Sequence, residues 1–303
     1  MDYRPAILAI AVTITAAVVV LSVRWRDWQR WRRSLVAYRL RLPDGLTVDS
    51  VSYAFGVISA MTARWPLALE VTATHRGIGH YVLIPAHLAP AMLTRFTTAI
   101  PSIRLDEAPE YLASSPRFRL VRELRTARRW RPLATQRGAQ SVAGLLASMY
   151  PLGRGEVIRV QWIFMATRHV KAHEDLPAPI LGQIDTKNAA PLVDACGRVA
   201  VAASHRSRAA LLLSGVMHAL EALSVPHSAF RARLLPGRLV ARRVASRAIP
   251  ATNAWWPALL NTDELAAVLA ILVDGVRVPG LSVGSARQLP PPVHMRRAGA
   301  VVA

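Results

Sequence analysis

The chain has 303 residues, room for roughly two domains at about 150 residues each, and it is rich enough in apolar side chains (52%) to bury a sizeable core. A formal net charge of +20 points toward anionic partners, and all but two of the 38 basic residues are arginines, the exceptions being Lys171 and Lys187. A single cysteine, Cys196, excludes an internal disulfide framework and a cysteine-based zinc cluster.

From Ala6 to Val23 no residue is charged. As a helix rising about 1.5 Å per residue this run would measure about 27 Å, so it reads as an N-terminal transmembrane helix. Arg24, Trp25, Arg26, Trp28, Arg30, Trp31, Arg32 and Arg33 follow at once, a basic and aromatic membrane flank. The basic excess on that side predicts a single-pass protein of the inner or plasma membrane with its C-terminal bulk in the cytoplasm. The order of apolar and basic residues is the reverse of a cleavable signal peptide. Residues 1–34 are the expected anchor.

Alternation of Val36, Tyr38, Leu40 and Leu42 with Arg39 and Arg41 predicts a strand, and Val48, Val51, Phe55 and Ile58 then recur at helical spacing. Leu67, Leu69, Val71 and Ala73 form a second strand that turns at His75-Arg76-Gly77 into a third, Ile78 to Ile84. A helix with Leu88, Met92, Phe96 and Ile100 on one stripe and a strand at Ile103 and Leu105 close a βαββαβ order over residues 35–112, the ferredoxin-like arrangement.

Residues 113–236 repeat the plan. A strand at Phe118 and Leu120 precedes a helix with Val142, Leu145, Leu146 and Met149, then a strand from Ile158 to Phe164. The stretch from Arg168 to Ala195, with Pro177, Pro179, Gly182 and Pro191, reads as loop. A strand at Val199 and Val201, a helix with Leu213, Val216 and Leu220, and a strand at Phe230 to Leu234 complete the second module. The expected fold class is therefore α+β: the transmembrane helix, two ferredoxin-like modules, and an extended tail over residues 237–303. In that tail Asn261-Thr262-Asp263-Glu264 spells a capping box, and Pro290-Pro291-Pro292 a linker.

Candidate chemistry is sparse. Gly280-Leu281-Ser282-Val283-Gly284 has the spelling of a nucleophile elbow without the strand before it or the helix after it, and reads as linker. His169 and His173, beside Glu174 and Asp175, have metal-ligand spacing among nearby prolines and read as an exposed loop. Cys196 reads as a small buried side chain. Neither a cofactor nor a metal is expected. The outward strand positions carry Arg39, Arg41, Arg159, Gln161, Arg231 and Arg233 where a base-stacking sheet would carry aromatics. Contact with phosphate backbones falls instead to Arg122, Arg125, Arg128, Arg129 and Arg131, and to Arg242 and Arg243.

Asn261-Thr262-Asp263-Glu264-Leu265-Ala266, Val278-Pro279-Gly280-Leu281 and Ala286-Arg287-Gln288-Leu289-Pro290-Pro291, with Leu69-Glu70-Val71 before Ile84-Pro85, give the chain a likeness. It resembles the region that precedes the motor in actinobacterial conjugative coupling proteins of the FtsK-HerA superfamily, ATPases that escort DNA to a type IV secretion channel. The likeness in element order extends over most of the part that follows the expected anchor. The phosphate loop of the motor is missing, since Lys171 follows Val170 and Lys187 follows Thr186 where Gly-Lys-Ser/Thr is needed. The resemblance implies a non-catalytic membrane component of a conjugative DNA-transfer apparatus. Its implied partners are the membrane, a motor ATPase or secretion-channel subunits, non-specific DNA and further copies of itself. A membrane-tethered nucleic-acid-binding module and a type VII secretion scaffold subunit are the alternatives.

Overall fold

The computed structural model describes residues 4–62, 65–113, 116–171, 176–226, 228–250, 255–271 and 281, with side chains from residue 11 onward. It opens with a 30-residue helix, α1 (Arg4–Arg33). β1 (Leu35–Arg41), α2 (Val48–Ser59), β2 (Leu67–Thr74), β3 (Gly77–Pro85), α3 (Ala89–Ala99) and β4 (Arg104–Glu107) follow, and their strands pair antiparallel in the order β4-β1-β3-β2. α2 starts where Thr47 and Ser50 close a reciprocal capping box.

After α4 (Pro109–Ala113), the second half contributes β5 (Leu120–Thr126), α5 (Gly138–Ser148), β6 (Val157–Ala166), α6 (Ala178–Asn188), β7 (Leu192–Ala202), α7 (Arg206–Glu221) and β8 (Phe230–Ala232), ordered β6-β7-β5-β8. Within each half the second strand is outermost and the first sits between third and fourth. The two second strands meet: β2 pairs with β6 antiparallel from Leu67↔Phe164 to Thr74↔Val157. The strands of the two expected modules thereby share one nine-stranded antiparallel sheet.

One face of this sheet is covered by α2, α3, α5 and α7, over an apolar core that runs unbroken through both halves. Phe55 of α2 packs edge-on against Phe96 of α3 at 6.2 Å and Phe164 of β6 at 6.0 Å, so a single ring ties the two halves together. Trp162 sits across from Gly197 in the β6–β7 register, and a Cβ there would stand 2.5 Å from its indole. Only glycine leaves room for that ring.

The supposed extended tail is partly built into this core. α8 (Gly237–Ser246) lies on the opposite face; β9 (Ala258–Asn261) pairs with β7, and α9 (Thr262–Val268) with the three residues after it buries Leu265–Ile271 against the helix layer. The Asn261 side chain accepts from Glu264 N–H and Glu264 reaches back to the Asn261 N–H, completing the capping box. Pro290–Pro292 lie outside the described residues. α6 occupies the stretch read as loop, because Pro177 precedes the helix and Pro179 falls in its first turn, where its missing N–H costs nothing.

The transmembrane expectation is corrected. No helix among the described residues is long and apolar enough to cross a membrane. The uncharged run of α1 stops at Val23, well before the helix does. Beyond it the same helix takes in Arg24, Arg26 and Asp27 and ends packed on the body of the protein through Trp31, whose indole N–H donates to the Pro66 carbonyl at 2.8 Å.

Candidate functional site

On the face away from the main core, strand register lines up one polar row. Arg39 stands beside Tyr81, Tyr81 beside Glu70, Glu70 beside Gln161, Gln161 beside Arg198, and Arg198 beside Glu123. Alternation sends all six to the same side. The centre of the row is sealed from water, with Glu70 and Gln161 at 0% exposure and Glu123 and Arg198 at 1%.

Such burial requires partners, and the row supplies them. Glu70 accepts from Tyr111 Oη (2.6 Å), Gln161 Nε2 (2.7 Å) and Arg247 Nε (3.1 Å), with Arg159 Nε at 3.5 Å. Gln161 turns its carbonyl to Arg198 Nη1 at 2.8 Å, and Arg198 Nε donates to Glu123 at 3.0 Å. Glu123 is also held by Arg233 (2.6 Å) and Arg243 (3.3 Å). Burial pushes both carboxyl groups up, but the arginines outweigh it: Arg159 and Arg247 hold Glu70, and Arg198, Arg243 and Arg233 hold Glu123, below the usual glutamate range. Arg247 ends α8 with a left-handed φ of 51°, a conformation L residues rarely adopt, and its bond to Glu70 secures it there.

Above the Glu123 end of this row lies an open groove of about 1220 Å³. α1 forms one wall with Val18, Leu21, Trp25 and Trp28; α8 forms the other with Leu239, Arg242, Arg243 and Ser246. Trp65, Trp255 and Trp256 stand at the edge, and Arg198, Arg233 and Glu123 make the floor. Six of the chain's eight tryptophans border it, Trp25 and Trp255 being 59% and 60% exposed. Its lining holds six arginines against two carboxylates, Asp27 and Glu123. Apolar, aromatic and cationic surface in one concavity can hold a ligand that is part greasy and part anionic.

The structure thus gathers much of the expected membrane flank, Arg24, Trp25, Arg26, Trp28 and Trp31, into a groove against the protein's own body. Arg30 pairs with Asp27 at 3.8 Å, Arg32 lies over the Trp28 ring at 5.9 Å, and Arg33 is exposed. The expected phosphate patch comes apart. Arg122 and Arg125 are exposed on β5 but leave it on opposite faces, since Val121 and Leu124 enter different clusters. Arg128 is exposed, Arg129 is paired with Asp194, and Arg131 stacks on Trp130 at 4.8 Å. Of the other pair, Arg242 is exposed in the groove wall and Arg243 binds Glu123. Arg159 and Gln161, read as outward, are interior because α4 and α8 roof that face.

Cys196 is fully buried, and burial pushes its thiol up to about 12, which suits a packing role. Among the described residues no three or more His, Cys, Asp or Glu side chains cluster as metal ligands. His173, Glu174, Asp175 and the elbow-like Gly280 and Ser282 to Gly284 lie outside the described residues.

Sequence reasoning missed a second buried pair, Lys187 with Glu264, both at 0% exposure. Glu264 caps α9 and also accepts from the Leu133 N–H at 2.7 Å. Burial pulls the Lys187 ammonium down, with Glu264 opposing. Composition held a signal: with only 18 acids in the chain, Glu70 is the one charged residue of the strand Leu67–Thr74, and Lys187 is one of two lysines.

Comparison with protein-family models and with curated proteins gives no match.

Proposed function

We propose that this chain is a non-catalytic component of a conjugative DNA-transfer, type IV secretion-like apparatus, acting by assembly with a motor ATPase or with channel subunits. The observation that carries this reading is the place of Asn261 to Ala266. The segment that bears the likeness to the pre-motor region of coupling proteins is wedged into the core by the capping box and the Lys187–Glu264 pair. It helps bind both halves into one platform, as a region that positions a motor requires.

The interior chemistry agrees with a binding role. Glu70, Glu123, Lys187 and Glu264 are closed into ion pairs, and His80 into a hydrogen bond with the Ala270 carbonyl. The test is affinity purification of the tagged full chain co-expressed with the coupling ATPase of a conjugation system. Co-elution in fixed stoichiometry that Glu264→Ala abolishes is the expected result. A chain that elutes alone and hydrolyses nucleotide overturns the proposal.

A further inference from the structure

The groove between α1 and α8 has two kinds of surface on opposite sides. Val18 and Leu21 share a helix face with the exposed Ile14 of α1, at i, i+4 and i+7, an apolar strip that leads out of the cavity. Arg233, Arg242 and Arg243 gather toward the floor and the α8 wall. Glu123 is already shared among three arginines, so positive charge is left over there. At about 1220 Å³ the cavity exceeds the usual range of about 300–1,000 Å³ for drug-sized ligands.

We propose that this groove binds one anionic phospholipid, its phosphate at the Arg233–Arg242–Arg243 end and its acyl chains along Val18 and Leu21 among the tryptophans. Charge complementarity fixes the headgroup end, because guanidinium forks match phosphate oxygens. The aliphatic wall decides against single-stranded nucleic acid, which draws on stacking and cations and gains nothing from valine and leucine. Tryptophans bridge the two surfaces, as they do where one end of a site is apolar and the other wet. Such a site needs no membrane-spanning helix.

The experiment uses the full chain purified in a non-ionic detergent and floated with vesicles of phosphatidylcholine alone or mixed with phosphatidylglycerol. Binding at least tenfold stronger to the mixed vesicles is expected, together with a retained phosphatidylglycerol molecule in native mass spectra. Arg26→Ala with Arg242→Ala removes two exposed charges and should cost most of that preference without shifting the thermal unfolding midpoint. Removing two exposed arginines elsewhere, Arg95→Ala with Arg154→Ala, should leave it intact. An equal loss from both pairs means unspecific attraction and overturns the proposal. So does full competition by inorganic phosphate or a single-stranded oligonucleotide, or an apolar groove closed by a second copy, seen as a dimer that Leu21→Asp dissociates without any lipid bound.

Discussion

The two faces of the sheet solve the same problem by opposite means. Under α2, α3, α5, α7 and α9 the core is filled by aliphatic and aromatic side chains whose burial needs no partners. Under α1, α4 and α8 the centre of the sheet is filled by Glu70, Gln161, Arg198 and Glu123, which are tolerable there only because each answers the next. The first face accepts many fillings of the right volume. The second accepts few, because removing one member strands another's charge.

The sharpest way to break this contrast is Glu123→Ala. It leaves Arg198 buried without its carboxylate and should cost about 3–5 kcal/mol in urea unfolding. Replacing Glu123 and Arg198 together by leucine should recover part of that loss, since Arg233 and Arg243 are about one-third exposed and can turn to water while the Gln161 carbonyl alone loses its side-chain partner. A double variant as unstable as the single one would refute the account of the row.

Acid probes both faces. His80 lies on the apolar side, and burial brings its pKa from 6.5 down to about 4 while the imidazole N–H donates to the Ala270 carbonyl at 2.7 Å. A folded value below the unfolded one means stability is whole above pH 6.5 and is lost as pH falls toward 4, by about 3 kcal/mol at 1.36 kcal/mol per unit. Glu70 and Glu123 are shifted in the same sense, and their share is lost at lower pH, below the ordinary glutamate value of 4.5. Thermal unfolding midpoints of the chain and of His80→Gln, taken between pH 7 and 4, should separate the two, the variant staying flat over that window.

Gly197→Ala overpacks the apolar face against Trp162 and should cost about 1–3 kcal/mol by the same unfolding assay. The smallest effect is expected from Asn261→Ala, about 1 kcal/mol, because Glu264 keeps its bonds to Lys187 and the Leu133 N–H when the cap is lost.

Much of the element order was legible in the sequence, since apolar residues two apart or three to four apart mark the strands and helices. Sheet edges were not. Nothing in Leu67 to Thr74 announces that its far side meets Val157 to Phe164, because a strand covered on both edges has the same alternation as one at a border. The polar row misled for a related reason: arginine, glutamine and glutamate at every second position look solvated until α4 and α8 are seen to cover them. The groove was legible residue by residue as tryptophans and arginines, but its α8 wall lies some two hundred positions from α1 and no local pattern joins the two.

The β2–β6 pairing has a mechanical consequence. Eight consecutive residue pairs weld the halves along their full common border, and the sheet is left to end at β4 and β8, strands of four and three residues. Such short borders offer little template for stray strands. A sheet without an internal joint behaves as a beam, so a pull at one end reaches the other through main-chain hydrogen bonds instead of being absorbed by a hinge.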